Sequence, residues 1–200
     1  MARSKTASWE PAAFSYWYEK LPTEKRQRVW DALKRDQRKV YNEWMTFRSF
    51  AKSSPLDIDP RSIEMCDPNS ASPPLPDTRC RISGQLEYFE LGEVTSEGLA
   101  RTASIAQRNR VAVYGGGFLQ RQPLVRIFLK KCRNRYTTKG NPLHLILYFA
   151  VGHQSPFEPQ LNYDMERWRM RLVERIRRSP FTSVWLYDDW QKRVLFRLDR

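Results

Sequence analysis

The chain has 200 residues, of which 35 are lysine or arginine and 22 aspartate or glutamate, a formal net charge of +13. That length buries a core without covalent staples, and three cysteines, an odd number with no Cys-x-x-Cys spacing, argue for reduced thiols rather than a disulfide framework or a zinc site. The charge calls for a polyanionic partner, while no apolar run reaches membrane-spanning length and the N-terminus lacks a signal-peptide core, so the expected setting is the cytoplasm, with no membrane partner.

Residues 1 to about 22 read as a short tail and an aromatic-rich helix capped by Ser8, carrying Trp9, Phe14, Tyr16, Trp17 and Tyr18 and stopped by Pro22. From Thr23 to about Ser53 the spacing of Trp30, Leu33, Val40, Tyr41, Trp44 and Phe47 predicts one long helix, with Glu43 on the flank of its apolar stripe. A carboxylate there serves a salt bridge, or a metal if the helix packs beside the next element. Residues 54 to 76 hold six prolines and read as an irregular connection.

From Pro76 to Thr95 two short strands flank Ser83-Gly84. A two-residue loop there fixes the pairing, because partners then share a constant sum of residue numbers, and that sum sets Asp77 opposite Glu90. Directly opposed residues share a face with Cβ atoms roughly 4.5–5.5 Å apart. Two carboxylates so placed need a positive group between them, and Mg²⁺ or Mn²⁺ suits hard oxygen ligands. A bulge at Gly92 would bring Glu93 round beside Glu90 as a third carboxylate; without it Glu93 is an ordinary surface or salt-bridge residue.

Thr95 or Ser96 can cap a helix to about Asn109, from which Arg101 projects. Gly115-Gly116-Gly117 lacks the spacing of a phosphate-cradling loop. Pro123 starts another helix, ending in Lys130, Lys131, Arg133 and Arg135. Pro142 to Ala150 is a nearly continuous apolar run, as in a strand covered on both faces, and His144 within it reads as a packed core histidine. Asn162 to Arg178 is an amphipathic helix whose polar side carries Arg167, Arg169, Arg171, Arg175, Arg177 and Arg178; with Lys130 and Lys131 these are the candidate phosphate contacts. Ser183–Tyr187 and Val194–Leu198 form a second hairpin in which Asp188 and Asp189 serve the turn.

The fold class expected is α/β, with a mixed central sheet flanked by helices. No Gly-x-Ser-x-Gly elbow is present and neither histidine has an evident serine or cysteine partner, so nucleophilic catalysis finds little support. A carboxylate pair in a basic chain instead suits metal-assisted phosphodiester hydrolysis, with arginines holding the polyanion.

Pro76-Asp77, followed thirteen residues later by Glu90-Leu91-Gly92 and preceded by a helix carrying Glu43, resembles the PD-(D/E)xK nuclease superfamily. Phe89-Glu90-Leu91-Gly92-Glu93-Val94, Lys130-Lys131, Tyr136 and Pro142-Leu143-His144-Leu145 are similar to an uncharacterised bacterial branch of it. The resemblance implies a restriction-endonuclease-like core over residues 38–200, with residues 1–37 as an N-terminal helical extension. It implies Asp77 and Glu90 as Mg²⁺ ligands, to which the reading of the residues adds Glu93 and Glu43 as candidate further ligands, and a target of DNA or RNA. The family's water-orienting lysine, two residues after the glutamate, is here Gly92. Arg101 is the nearest substitute, although arginine is a poor proton donor or acceptor. The alternative is a catalytically inactive module on the same scaffold that binds nucleic acid or a protein partner, as in phage–host conflict, and either form could pair as a homodimer.

Overall fold

The computed structural model describes residues 10–67, 70–94, 123–149 and 158–200. Among them are five helices, α1 (Pro11–Tyr18), α2 (Thr23–Ala32), α3 (Arg35–Ser53), α4 (Pro123–Cys132) and α5 (Glu158–Ile176). Six strands, β1 (Glu64–Met65), β2 (Thr78–Ile82), β3 (Gln85–Glu93), β4 (Leu143–Phe149), β5 (Ser183–Asp188) and β6 (Arg193–Asp199), form one sheet in chain order. Its centre, β3-β4-β5, is parallel, and both flanks are antiparallel. The α/β class with a mixed sheet is therefore as expected.

The apolar run of β4 is buried from Leu143 to Tyr148 because helices cover both faces of the sheet. Leu143, Leu145 and Leu147 of β4 and Val184 and Leu186 of β5 pack with Leu124, Ile127 and Phe128 of α4 and Leu172 and Ile176 of α5. Ile146, Tyr148, Trp185 and Tyr187 turn to the opposite face, against Phe47 and Phe50 of α3. The result is three layers: α3, sheet, α4 with α5. No helix among the described residues is long and apolar enough to cross a membrane.

The β2–β3 turn has the predicted length. Ser83 and Gly84 adopt φ of 47° and 86°, the doubly left-handed turn that matches strand twist. Ser83 holds this backbone through its N–H to the Asp57 carbonyl and its hydroxyl to Asp57 Oδ2. The register runs from Ile82↔Gln85 to Thr78↔Phe89.

Three expectations change. The helix predicted over residues 23–53 is two helices, because Leu33 and Lys34 are extended, with ψ of 140° and 157°. Arg38 secures the break by donating to the carbonyls of Leu33 and Asp31, and Gln37 Oε1 accepts the Lys34 N–H at 3.0 Å. The connection before the hairpin contributes a two-residue edge strand, β1, paired with β2. The first helix starts at Pro11 after Glu10, whereas Ser8 and Trp9 lie outside the described residues. Outside them too fall the helix expected from residue 95, Arg101 and the glycine run at 115–117.

Candidate active site

The ladder between β2 and β3 stops at Thr78↔Phe89, and the next step of that register puts Asp77 across from Glu90. Phe89 and Leu91 face α3, so by alternation Glu90 faces α4. Where β2 ends, Asp77 Oδ2 accepts the Leu91 N–H at 2.8 Å. The aspartate thereby replaces a lost ladder partner and is fixed against β3.

The positive group between the two carboxylates is a side chain. Lys131, in the last turn of α4, places Nζ 2.5 Å from Glu90 Oε1 and 3.8 Å from Asp77 Oδ2. Gly92 makes this reach feasible. A Cβ there would lie 3.0 Å from Ile127 Cγ2 and from Leu147 Cδ2, and 3.8 Å from Lys131 Cε. Glycine thus lets α4 lie close upon β3 and bring its terminal lysine over the strand. Gly92 makes room in space for a lysine that arrives from α4.

Burial pushes the Glu90 carboxyl above its ordinary range and the charge of Asp77 adds to this, while Lys131 and the Tyr136 hydroxyl oppose it. Tyr136 accepts from Asn134 Nδ2 at 3.2 Å; its own proton lies between the Lys131 carbonyl, at a long 3.3 Å, and the Glu90 carboxylate, whose ionised form it favours. Burial and the negative charge of Glu90 push the phenol strongly upward, so it stays protonated.

From the other layer Glu43 joins the same electrostatic group. It is buried on α3 and pushed up to about 7, first by burial and then by Asp77, against the pull of Lys39 and Lys131. Lys39 pairs with it at 3.3 Å across one helical turn. Burial pulls the Lys39 ammonium down, but Glu43, Asp77 and Glu90 together outweigh that and raise it. Three carboxylates and two ammonium groups from both layers thus influence one another's charge where β2 leaves β3.

Glu93 does not join them. The β3–β4 ladder continues without a shift from Tyr88↔Leu143 to Glu93↔Tyr148, so Gly92 forms no bulge. Glu93 projects to the α3 side of the sheet, opposite to Glu90, and is exposed. Among the described residues no three Asp, Glu, His or Cys side chains gather closely enough to hold a metal ion.

Of the candidate phosphate contacts, Arg167, Arg169, Arg175, Arg177, Arg178 and Lys130 are exposed and Arg171 is half-buried. Arg169 pairs with Glu166 at 3.5 Å, and Arg175 donates to the Arg171 carbonyl. Lys131 differs from this set, being turned inward to the carboxylates. Its role escapes the sequence because 41 residues separate it from Glu90. The one signal was its place at the end of an apolar helix preceding the central strand.

His144 is the packed core histidine expected, held by Glu87 at 2.6 Å and Ser183 at 2.7 Å. Asp188 Oδ1 accepts the N–H groups of Trp190 and Gln191, as a turn former does, whereas Asp189 is buried and holds Thr46 and Lys192.

No protein-family model matches the chain, and no curated protein or solved structure does.

Proposed function

We propose that this chain is a metal-dependent nuclease with a restriction-endonuclease-like core, acting in the cytoplasm on DNA or RNA. The observation that carries this reading is the placement of Asp77, Glu90 and Lys131 together on one face of the sheet. In it the two carboxylates and the lysine of the PD-(D/E)xK pattern are all supplied, with the lysine coming from α4. The order of α3, the β2–β3 hairpin, β4, α5 and β5 supports it as well.

The donor set fits Mg²⁺ or Mn²⁺, since these hard ions take oxygen ligands and are commonly held by one or two carboxylates. Asp77 and Glu90 would hold the ion, with Glu43 behind them as an outer carboxylate. When bound, such an ion activates water and offsets charge developing on the phosphate. The protein's own part is to fix Asp77 through the Leu91 N–H, to oppose protonation of the buried Glu90 through Lys131 and Tyr136, and to hold an ammonium where it can orient water or a phosphate oxygen. The exposed arginines of α5 supply charge for the polyanion.

Plasmid incubated with the protein and Mg²⁺ or Mn²⁺ tests the reading. The wild type is expected to nick it, and Asp77→Asn, Glu90→Gln and Lys131→Met to abolish nicking. Inert wild type in both metals would overturn it.

Two observations favour a second reading, a binding module without catalysis: the Lys131 ammonium already lies between the two carboxylates, and Glu93 is on the other face of the sheet. That module would retard DNA or RNA in a gel, with an affinity falling steeply as salt rises, and cleave neither.

A further inference from the structure

Two aromatic rings on α1 face solvent, although the helix is anchored by aromatic contacts. Phe14 and Tyr18 stack on each other at 5.1 Å and lie edge-on to Tyr41 of α3 at 5.2 and 6.1 Å. Trp30 of α2 closes the cluster, 6.3 Å from Tyr18 and 5.7 Å from Tyr41. These inner rings fix the helix, and by doing so they fix Tyr16 and Trp17 outward, 68% and 49% exposed. Lys20 places its Nζ 3.7 Å from the centre of the Tyr16 ring.

We propose that Tyr16, Trp17 and Lys20 form a stacking platform for an unpaired nucleic-acid strand. Each part meets a requirement of that ligand. Bases bind protein by stacking on aromatic faces irrespective of sequence; the Lys20 ammonium lies over one face of Tyr16, where it can meet the phosphate that accompanies each base, leaving the opposite face of this exposed ring and the Trp17 ring for stacking. A ring held by inner packing loses little freedom on binding, so it acts as a preformed surface. The chain's charge of +13 favours this polyanion over a protein partner, for which an apolar patch without an ammonium would serve better.

The proposal deepens the nuclease reading by assigning its substrate class, and rests on it only for what happens to the bound strand; binding itself does not.

The experiment measures fluorescence anisotropy of a labelled, unstructured oligonucleotide of about 20 nucleotides, and of the same sequence as a duplex, in EDTA so that no cleavage intervenes. A Tyr16→Ala/Trp17→Ala variant is expected to bind the single strand about tenfold or more weakly, given the usual stacking contribution per base, with duplex affinity within about twofold of wild type. Tyr16→Phe/Trp17→Phe should restore single-strand binding, since rings and not hydroxyl or indole N–H carry it. Unchanged single-strand affinity in the alanine variant overturns the platform. So does an equal loss for both ligands, which would mark a general electrostatic or folding effect, and so does binding of a protein partner at this patch with no preference for unpaired strands. Asp77→Asn separates the two claims. If it and the wild type are both inert, with Mg²⁺ or Mn²⁺, on plasmid and on single-stranded DNA and RNA, while the alanine variant alone loses the single strand, the nuclease reading falls and the platform stands. If Asp77 proves essential for cutting while the alanine variant binds like wild type, the reverse holds.

Discussion

The Lys131 ammonium lies 2.5 Å from the Glu90 carboxylate, a contact made across 41 residues of sequence and inside the protein, with 20% and 7% of the two side chains exposed. Truncating one member of such a pair leaves the other buried and uncompensated. Lys131→Met should therefore cost about 2 kcal/mol at pH 8, less than a fully buried pair because the lysine is partly wet. The loss must depend on pH. Without its cation the raised Glu90 carboxyl rises further, and protonation removes the penalty, so the gap to wild type should close as pH falls toward the ordinary carboxylate value of 4.5. Urea unfolding at pH 8 and pH 4.5 measures this; a gap that persists at the lower pH would mean that lost packing, not charge, is responsible.

Gly92 is expected to resist substitution for a steric reason. An added methyl group meets Ile127 Cγ2 and Leu147 Cδ2 at 3.0 Å, and both belong to the packed layer between β3, β4 and α4. Gly92→Ala should cost about 1–3 kcal/mol through overpacking, read as a lower urea midpoint with unchanged slope. Gly92→Lys, which sets a lysine two residues after Glu90, should fold less well still and should not raise nicking, because the new side chain competes with Lys131 for one space.

The pairing of Asp77 with Glu90 could be read from the sequence because a two-residue turn leaves no freedom: once Ser83 and Gly84 take positive φ, every partner is set. The β4 strand was equally legible, since burial on both faces removes the alternation that exposed strands display. Lys131 was not, because its reach depends on how closely α4 approaches the sheet, a property of Ile127 and Gly92 packing in three dimensions. The break at Leu33–Lys34 was hidden for another reason. Apolar periodicity runs through it without glycine or proline, and the side chains that stabilise it, Arg38 and Gln37, are ordinary helix residues. Glu93 shows the limit of a glycine as a bulge signal, for Gly92 serves close helix packing with its ladder intact.

Glu43 should make the fold less stable as pH rises. Its carboxyl is ordinarily near 4.5 and here is pushed up to about 7, so between those values the folded chain holds a proton that the unfolded chain releases. Stability then falls across that window and is lowest above it. Glu43→Gln should flatten this slope, matching wild type near pH 4 and exceeding it at pH 8 by about 1–3 kcal/mol, offset slightly by the lost pair with Lys39. Thermal or urea melts across pH 4–8 give the two curves. A variant whose curve parallels wild type would place the charge of Glu43 outside the energetics of this cluster.

Ser183, His144 and Glu87 stand in the order of a nucleophile, base and acid, yet the serine is fully buried and its hydroxyl accepts from Trp185 Nε1 at 2.7 Å. With Trp185 donating to it, the Ser183 hydroxyl can give its own proton to His144 Nδ1, which leaves Nε2–H to donate to Glu87. Every donor and acceptor is then satisfied by a neutral ring. Burial lowers the His144 pKa below 6.5 against the opposing pull of Glu87. A lowered histidine contributes stability that is fully present above 6.5 and is lost as pH falls through its folded value, because the unfolded ring takes up the proton first. Nitrogen-15 spectra of the two histidines should show His144 neutral at pH 7 as the Nε2–H tautomer, titrating below the ordinary value. Ser183→Ala should cost about 1–3 kcal/mol by orphaning Nδ1 and the indole N–H, and a fluorophosphonate should not label the folded wild type. Labelling at Ser183, or a ring protonated at pH 7, would mean that this network opens to solvent and that the serine is chemically accessible.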